Sequence, residues 1–177
     1  MLRVACRITM RSTPHVTPLV DGANLEIKDS ALRKESKMHQ QHKLSHQDAL
    51  RVVEAIRAEL EKQGKGAAIA VADAHGELLA FLRTDGCKLP SIQIAINKAF
   101  TAAREQKPSR AIGDSSREKQ WPMSNFGDLR YTAWGGGVPL IYAGQIVGGV
   151  GVSGLPEEED MVLAAMGAKL IAEMATA

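Results

Sequence analysis

Gly148-Gly149-Val150-Gly151-Val152-Ser153-Gly154 is the stretch that decides how this 177-residue chain folds. It contains Gly149-x-Gly151-x-x-Gly154, with an apolar run before it and the helix-like LPEEEDMVLAAMGAKLIAEMA (155–175) after it. That is the glycine spacing of a dinucleotide-binding turn, which also needs a further parallel strand and an acid about 20 residues on for the ribose. Only 23 residues follow Gly154 and the last helix uses nearly all of them, so Glu173, at about the right distance, falls inside it. Glu157, Glu158, Glu159 and Asp160 stand where a pyrophosphate would sit, and like charges repel. The dinucleotide reading fails. Eight of the sixteen glycines lie between 135 and 154, and glycine in a strand lets a helix, a ligand or another subunit approach the backbone. With Gly149, Gly151 and Ser153 alternating, one face of the strand is flat, as a platform for helix packing or the floor of a pocket.

Outward from this stretch, Tyr142-Ala143-Gly144-Gln145 reads as the turn of a hairpin over 138–142 and 145–152, with an edge strand before it. The last helix opens at Pro156 with four acids in its first turn, favourable to the helix dipole. Upstream, Ser45 is an N-cap with Asp48 three residues on, and Ala49, Val52, Val53, Ile56 and Leu60 form one stripe that Gly64 ends. AHGE (74–77) turns a first hairpin, roughly 67–74 and 77–83. Pro90 and Ser91 open an alanine-rich helix that Lys107-Pro108 stops. Residues 109–130 are polar and predict a long loop with short helical turns at most. Hairpins dominate over β-α-β alternation, so the fold class is α+β: an antiparallel sheet flanked by helices.

The chain suits one domain plus a tail. Residues 1–43 carry eight Lys and Arg against four Asp and Glu; residues 44–177 carry fourteen against sixteen. The basic excess belongs to the tail, and the body has no net positive field for nucleic acid. No apolar run reaches the ~18 residues of a membrane span. Cys6 and Cys87 sit in no metal or redox spacing, which suits reduced thiols in a cytoplasm-like compartment. Residues 1–43 lack periodicity and are expected to be disordered or loosely attached. Arginine-rich and acid-free before Asp21, the first 20 residues also look transit-like, which would make the protein organellar. The plainer expectation is an upstream start or extension, with Met38 the effective beginning and 44–177 the domain.

At this point the motifs resemble a known family. GGGVPLIYAGQIVGGVGVSG before an acid-rich helix, SIQIAINKAFTAA with Lys98-Ala99 and Thr101-Ala102, and VADAHGELLAFLR with Asp73 and Gly76 are similar to the GlcG/HbpS family, the haem-degrading or PduO C-terminal-like domain. The resemblance covers about 44–177. It implies a profilin-like or PAS-like antiparallel sheet flanked by helices, commonly a homo-oligomer, and a haem-binding, redox-sensing or catabolic accessory role. It names no universal catalytic set.

His39, His42 and His46 stand at i, i+3 and i+7, but Ser45 caps the helix inside that run, leaving His39 and His42 in coil. A solvated tract is the preferred reading there, as it is for His15. His46 in the first turn and His75 in the hairpin turn are the candidate iron ligands. Trp121, Phe126, Tyr131 and Trp134 put four of the seven aromatics into 121–134, suited to a flat apolar ligand or an oligomer contact. Arg104, Arg110, Arg117 and Arg130 surround them and could pair with propionates or small carboxylates, with Met123 a further lining group. The sequence thus predicts a soluble, oligomeric haem- or iron-binding accessory protein in the cytoplasm, without nucleic-acid or membrane partners. The alternatives are an enzyme or accessory factor in catabolism of an organic acid or diol, or an assembly module.

Overall fold

The computed structural model describes residues 40–176, so the expectations for His15, His39 and nearly all of the 1–43 extension lie outside the described residues. The elements run α1 (His46–Lys62), β1 (Ala68–Asp73), β2 (Leu78–Arg83), α2 (Pro90–Glu105), α3 (Ser109–Lys119), a 3-10 turn (Met123–Phe126), β3 (Gly137–Tyr142), β4 (Gln145–Ser153) and α4 (Glu157–Met174). The strands form one sheet in the order β2-β1-β4-β3, with every neighbouring pair antiparallel. This is the expected α+β architecture. Ser45 caps α1 as its sequence demands, its Oγ accepting from the Asp48 N–H at 3.1 Å. Ala143 and Gly144 both take positive φ, the two-residue turn that matches strand twist.

The two faces of the sheet are covered differently. On one, α1 and α4 bury Val52, Ile56, Leu60, Leu163 and Ile171 against Ile69, Val71, Val150 and Val152. Each such side chain contributes on the order of 1.5–3 kcal/mol. On the other, α2 lies on Ala68, Ala70 and Ala72 of β1 through Ala95 and Ala99, and on the glycines of β4. A Cβ at Gly149 would stand 2.4 Å from the Ala99 carbonyl oxygen, and one at Gly151 would stand 2.1 Å from that of Ala95. The flat face of β4 is therefore a platform on which the α2 backbone rests.

Two expectations need correction. Residues 109–119, read as loop, form the eleven-residue helix α3. Its apolar anchor is small, Ile112 with Gly113 pressed against the Ala133 carbonyl, so no stripe shows in the sequence. Ion pairs of Asp114 with Arg110 and Arg117 support the outer face. The edge strand expected before β3 is absent among the described residues, and β3 is itself the edge. Residues 132–137 are instead held by side chains: Thr101 Oγ1 accepts from the Thr132 N–H, and Ser109 Oγ accepts from Gly137 N–H while donating to the Trp134 carbonyl.

Candidate functional site

The β1–β2 turn is built by Asp73, whose Oδ1 accepts from the N–H groups of His75 (2.8 Å) and Glu77 (3.0 Å). Gly76 has φ +86° and lies against Phe100 of α2; a Cβ there would be 2.7 Å from the Phe100 ring and 3.1 Å from Arg104 Cγ. The glycine thus seats the turn on α2. His75 projects from it with its side chain 77% exposed, and Asp73 Oδ2 stands 3.9 Å from Nδ1.

Phe100 is also the root of the aromatic cluster. Tyr131 meets it edge-on at 5.1 Å, Phe126 stacks on Tyr131 at 4.0 Å and Trp121 meets Phe126 edge-on at 5.6 Å. The Arg130 guanidinium lies 4.0 Å over the Phe100 ring and that of Arg104 lies 5.6 Å from it. Arg130 is committed to Asp128 (2.9 Å) and Glu77 (3.3 Å), and its guanidinium holds the Asp128 carboxyl below the usual range. Arg104 donates to the His75 carbonyl and pairs with no carboxylate among the described residues.

The structure therefore gathers Arg104, Trp121, Phe126, Arg130 and Tyr131 around Phe100, which His75 joins only through its backbone carbonyl. It does not bring in Arg117, Trp134 or His46. Arg117 pairs with Asp114 on α3, and Trp134, 57% exposed, belongs to a separate cleft. His46 is exposed at the start of α1, which packs on the face opposite α2. His42, in coil as expected, packs edge-on against Tyr142 at 4.9 Å and lines, with His75, Lys43 and Val147, a cleft of about 240 Å³. Among the described residues no group of three or more His, Cys, Asp or Glu side chains is placed to hold a metal ion.

Sequence reasoning missed a buried ion pair. Lys98 and Asp160 are each 3% exposed and 2.8 Å apart, and Lys98 Nζ also donates to the Val152 carbonyl at 2.8 Å. Burial raises the Asp160 carboxyl above the ordinary carboxylate value, against the pull of Lys98. A lysine in phase with Ala95, Ala99 and Ala102 on a buried helix face was the available signal. Asp160 had a sufficient local explanation as one of four acids at a helix start.

These elements define the class: an antiparallel α+β domain with an exposed turn histidine and an aromatic and arginine surface rooted on α2. The chain belongs to the HbpS-like haem-degrading protein family, whose model matches residues 44–169. It is 35% identical over 116 residues to the protein GlcG of Escherichia coli strain K12, covering 62% of this chain and 81% of GlcG. The crystal structure of HbpS is similar, at 28% identity and a TM-score of 0.68 over 76% of this chain and 94% of that one. A crystal structure of PduOC complexed with haem shares the fold at 24% identity and a TM-score of 0.68, covering 73% and 96% of the two chains.

Proposed function

We propose that this protein is an oligomeric haem-binding accessory protein that holds haem at the β1–β2 turn. His75 Nε2 would ligate the iron, Arg104 would pair with a propionate, and the half-buried Tyr131 and Phe126 would offer their ring edges to the porphyrin. The observation that carries this reading is the seating of the Gly76 turn on Phe100 and Arg104, which sets the exposed His75 on a turn whose backbone meets a guanidinium paired with no carboxylate among the described residues. The donor set fits the group: imidazole is a common haem ligand, and a guanidinium matches a carboxylate bidentately. Membership of an HbpS-like haem-degrading family and the haem held by PduOC support it.

An exposed histidine on an open surface covers one face of a porphyrin. Leu129, 92% exposed beside Arg130, suits burial against a second copy of the chain, which would cover the other face. We place this homo-oligomer in the cytoplasm, the compartment in which unpaired cysteines such as Cys87 stay reduced. We assign the function to residues 44–177, so a chain begun at Met38 keeps the melting temperature of the full chain, which thermal unfolding of the two checks.

Titration of the protein with haemin, followed by absorbance, tests the reading. A saturable Soret shift is expected for the parent and for His46→Ala, and its loss for His75→Ala. Equal binding by all three would remove His75 from the site. A role in catabolism of an organic acid or diol is the second reading, favoured by a polar cleft beside Lys98.

A further inference from the structure

Between α2, the end of β4 and the first turn of α4 lies a cleft of about 250 Å³ whose lining includes Ser91, Lys98, Trp134, Ser153, Glu157 and Asp160. Its chemistry follows from which hydrogen-bonding groups are already engaged. Asp160 accepts from the Leu155 N–H at 3.1 Å and from Lys98 at 2.8 Å. Glu157 accepts from the Gly135 N–H and pairs with Arg110 at 3.2 Å. Both acids thus have a cation of their own.

The donors are less fully used. Lys98 has three N–H groups and spends two, on Asp160 and the Val152 carbonyl. Ser153 is 5% exposed, yet its hydroxyl makes no hydrogen bond among the described residues. No side-chain polar atom sealed from solvent lacks a partner there, so this Oγ opens into the cleft. Ser91, 7% exposed, adds a second hydroxyl near the Cys87 thiol. The unclaimed capacity of the cleft is donor capacity, with the Trp134 indole along its wall.

We propose that this cleft is a binding site for a small 2-hydroxy- or 2-oxo-carboxylate. Its carboxylate accepts from the third Lys98 N–H and from Ser153 Oγ, and its second oxygen accepts from Ser91. The volume lies below the ~300–1,000 Å³ of sites for drug-sized ligands, so a tetrapyrrole is too large for it. The inference names the ligand class of the second reading and is independent of the haem reading.

The test is a titration of the full chain with sodium pyruvate and with sodium lactate, against sodium chloride at matched ionic strength. Tryptophan fluorescence and calorimetry are the readouts. Saturable binding of at least one acid is expected, and Trp134→Phe should remove the fluorescence response while leaving the heat. Ser153→Ala breaks no hydrogen bond of the fold, so it stays folded, and it should weaken binding about tenfold, as loss of one bond to a charged group does. Lys98→Met should weaken binding further, read after circular dichroism confirms the fold. His75→Ala should bind the acid as the parent does, which separates failure here from failure of haem binding. No saturable response to either acid, a response that sodium chloride reproduces, or parental affinity in Ser153→Ala would overturn the proposal.

Discussion

The two faces of this sheet are packed with different materials. Beneath α1 and α4 the interface is Leu, Ile and Val; beneath α2 it is Ala and Gly, with backbone close to backbone. The buried polar residues follow the same division. Ser91, Lys98 and Thr101 lie on α2, Ser109 opens α3, and Ser153 and Asp160 close around the same end of the sheet. Large branched side chains fill space and tolerate small losses. A close backbone approach leaves room for polar groups at its margins, where each can be satisfied by a carbonyl or amide that the approach brings near. The first face supplies stability; the second supplies stability and borders the aromatic surface and the Lys98 cleft.

Substitutions that invade the α2 face should separate the two most strongly. Gly151→Val puts a branched side chain where a Cβ alone would stand 2.1 Å from the Ala95 carbonyl oxygen. Because backbone must move, the expected cost is about 4 kcal/mol or more, read by urea denaturation. On the opposite face Leu60→Ala removes a fully buried side chain. It should cost about 2–5 kcal/mol by the same measurement and leave haemin affinity unchanged while the protein stays folded. Loss of haemin binding in folded Leu60→Ala would show that the faces are not separate.

Smaller effects sharpen the comparison at the turn. Gly76→Ala forces a side chain into a left-handed conformation against Phe100, costing about 1–2 kcal/mol. By lifting His75 away from Arg104 it should weaken haemin binding about tenfold, a shift of about 1.4 kcal/mol in titration. Smallest is the pH response of the Asp128–Arg130 contact. Arg130 depresses the folded Asp128 carboxyl below its unfolded value, so the contact's stabilisation is complete above the usual carboxylate range near pH 4. It is lost as pH falls through the lowered folded value. Near-ultraviolet circular dichroism of the aromatic cluster should therefore hold down to about pH 4 and change below it in the parent, and Asp128→Asn should remove that change.

What the sequence made legible divides along similar lines. The hairpins, the capped first helix and the helix platform of Gly149 and Gly151 could be read because each rests on local chemistry: a turn glycine, an N-cap, a period of two. Helix α3 could not, because it forms on one isoleucine, one glycine and ion pairs and carries no apolar stripe. The gathering of Arg104, Arg130 and the three rings was legible as a list of residue types but not as one surface. Its organiser is Phe100, an apolar residue inside α2 whose role depends on which turn the fold lays over it. The Lys98–Asp160 pair lay deepest, since its members are far apart in sequence and Asp160 had a local reason to be acidic.

The most direct test of the account is chemical rescue of the proposed iron ligand. Haemin is titrated into His75→Ala with and without free imidazole, beside the parent and His46→Ala. The account predicts a saturable Soret shift in the parent and in His46→Ala, none in His75→Ala alone, and its return when imidazole supplies the missing nitrogen. A parental Soret shift in His75→Ala without imidazole would contradict it and move the haem away from the β1–β2 turn.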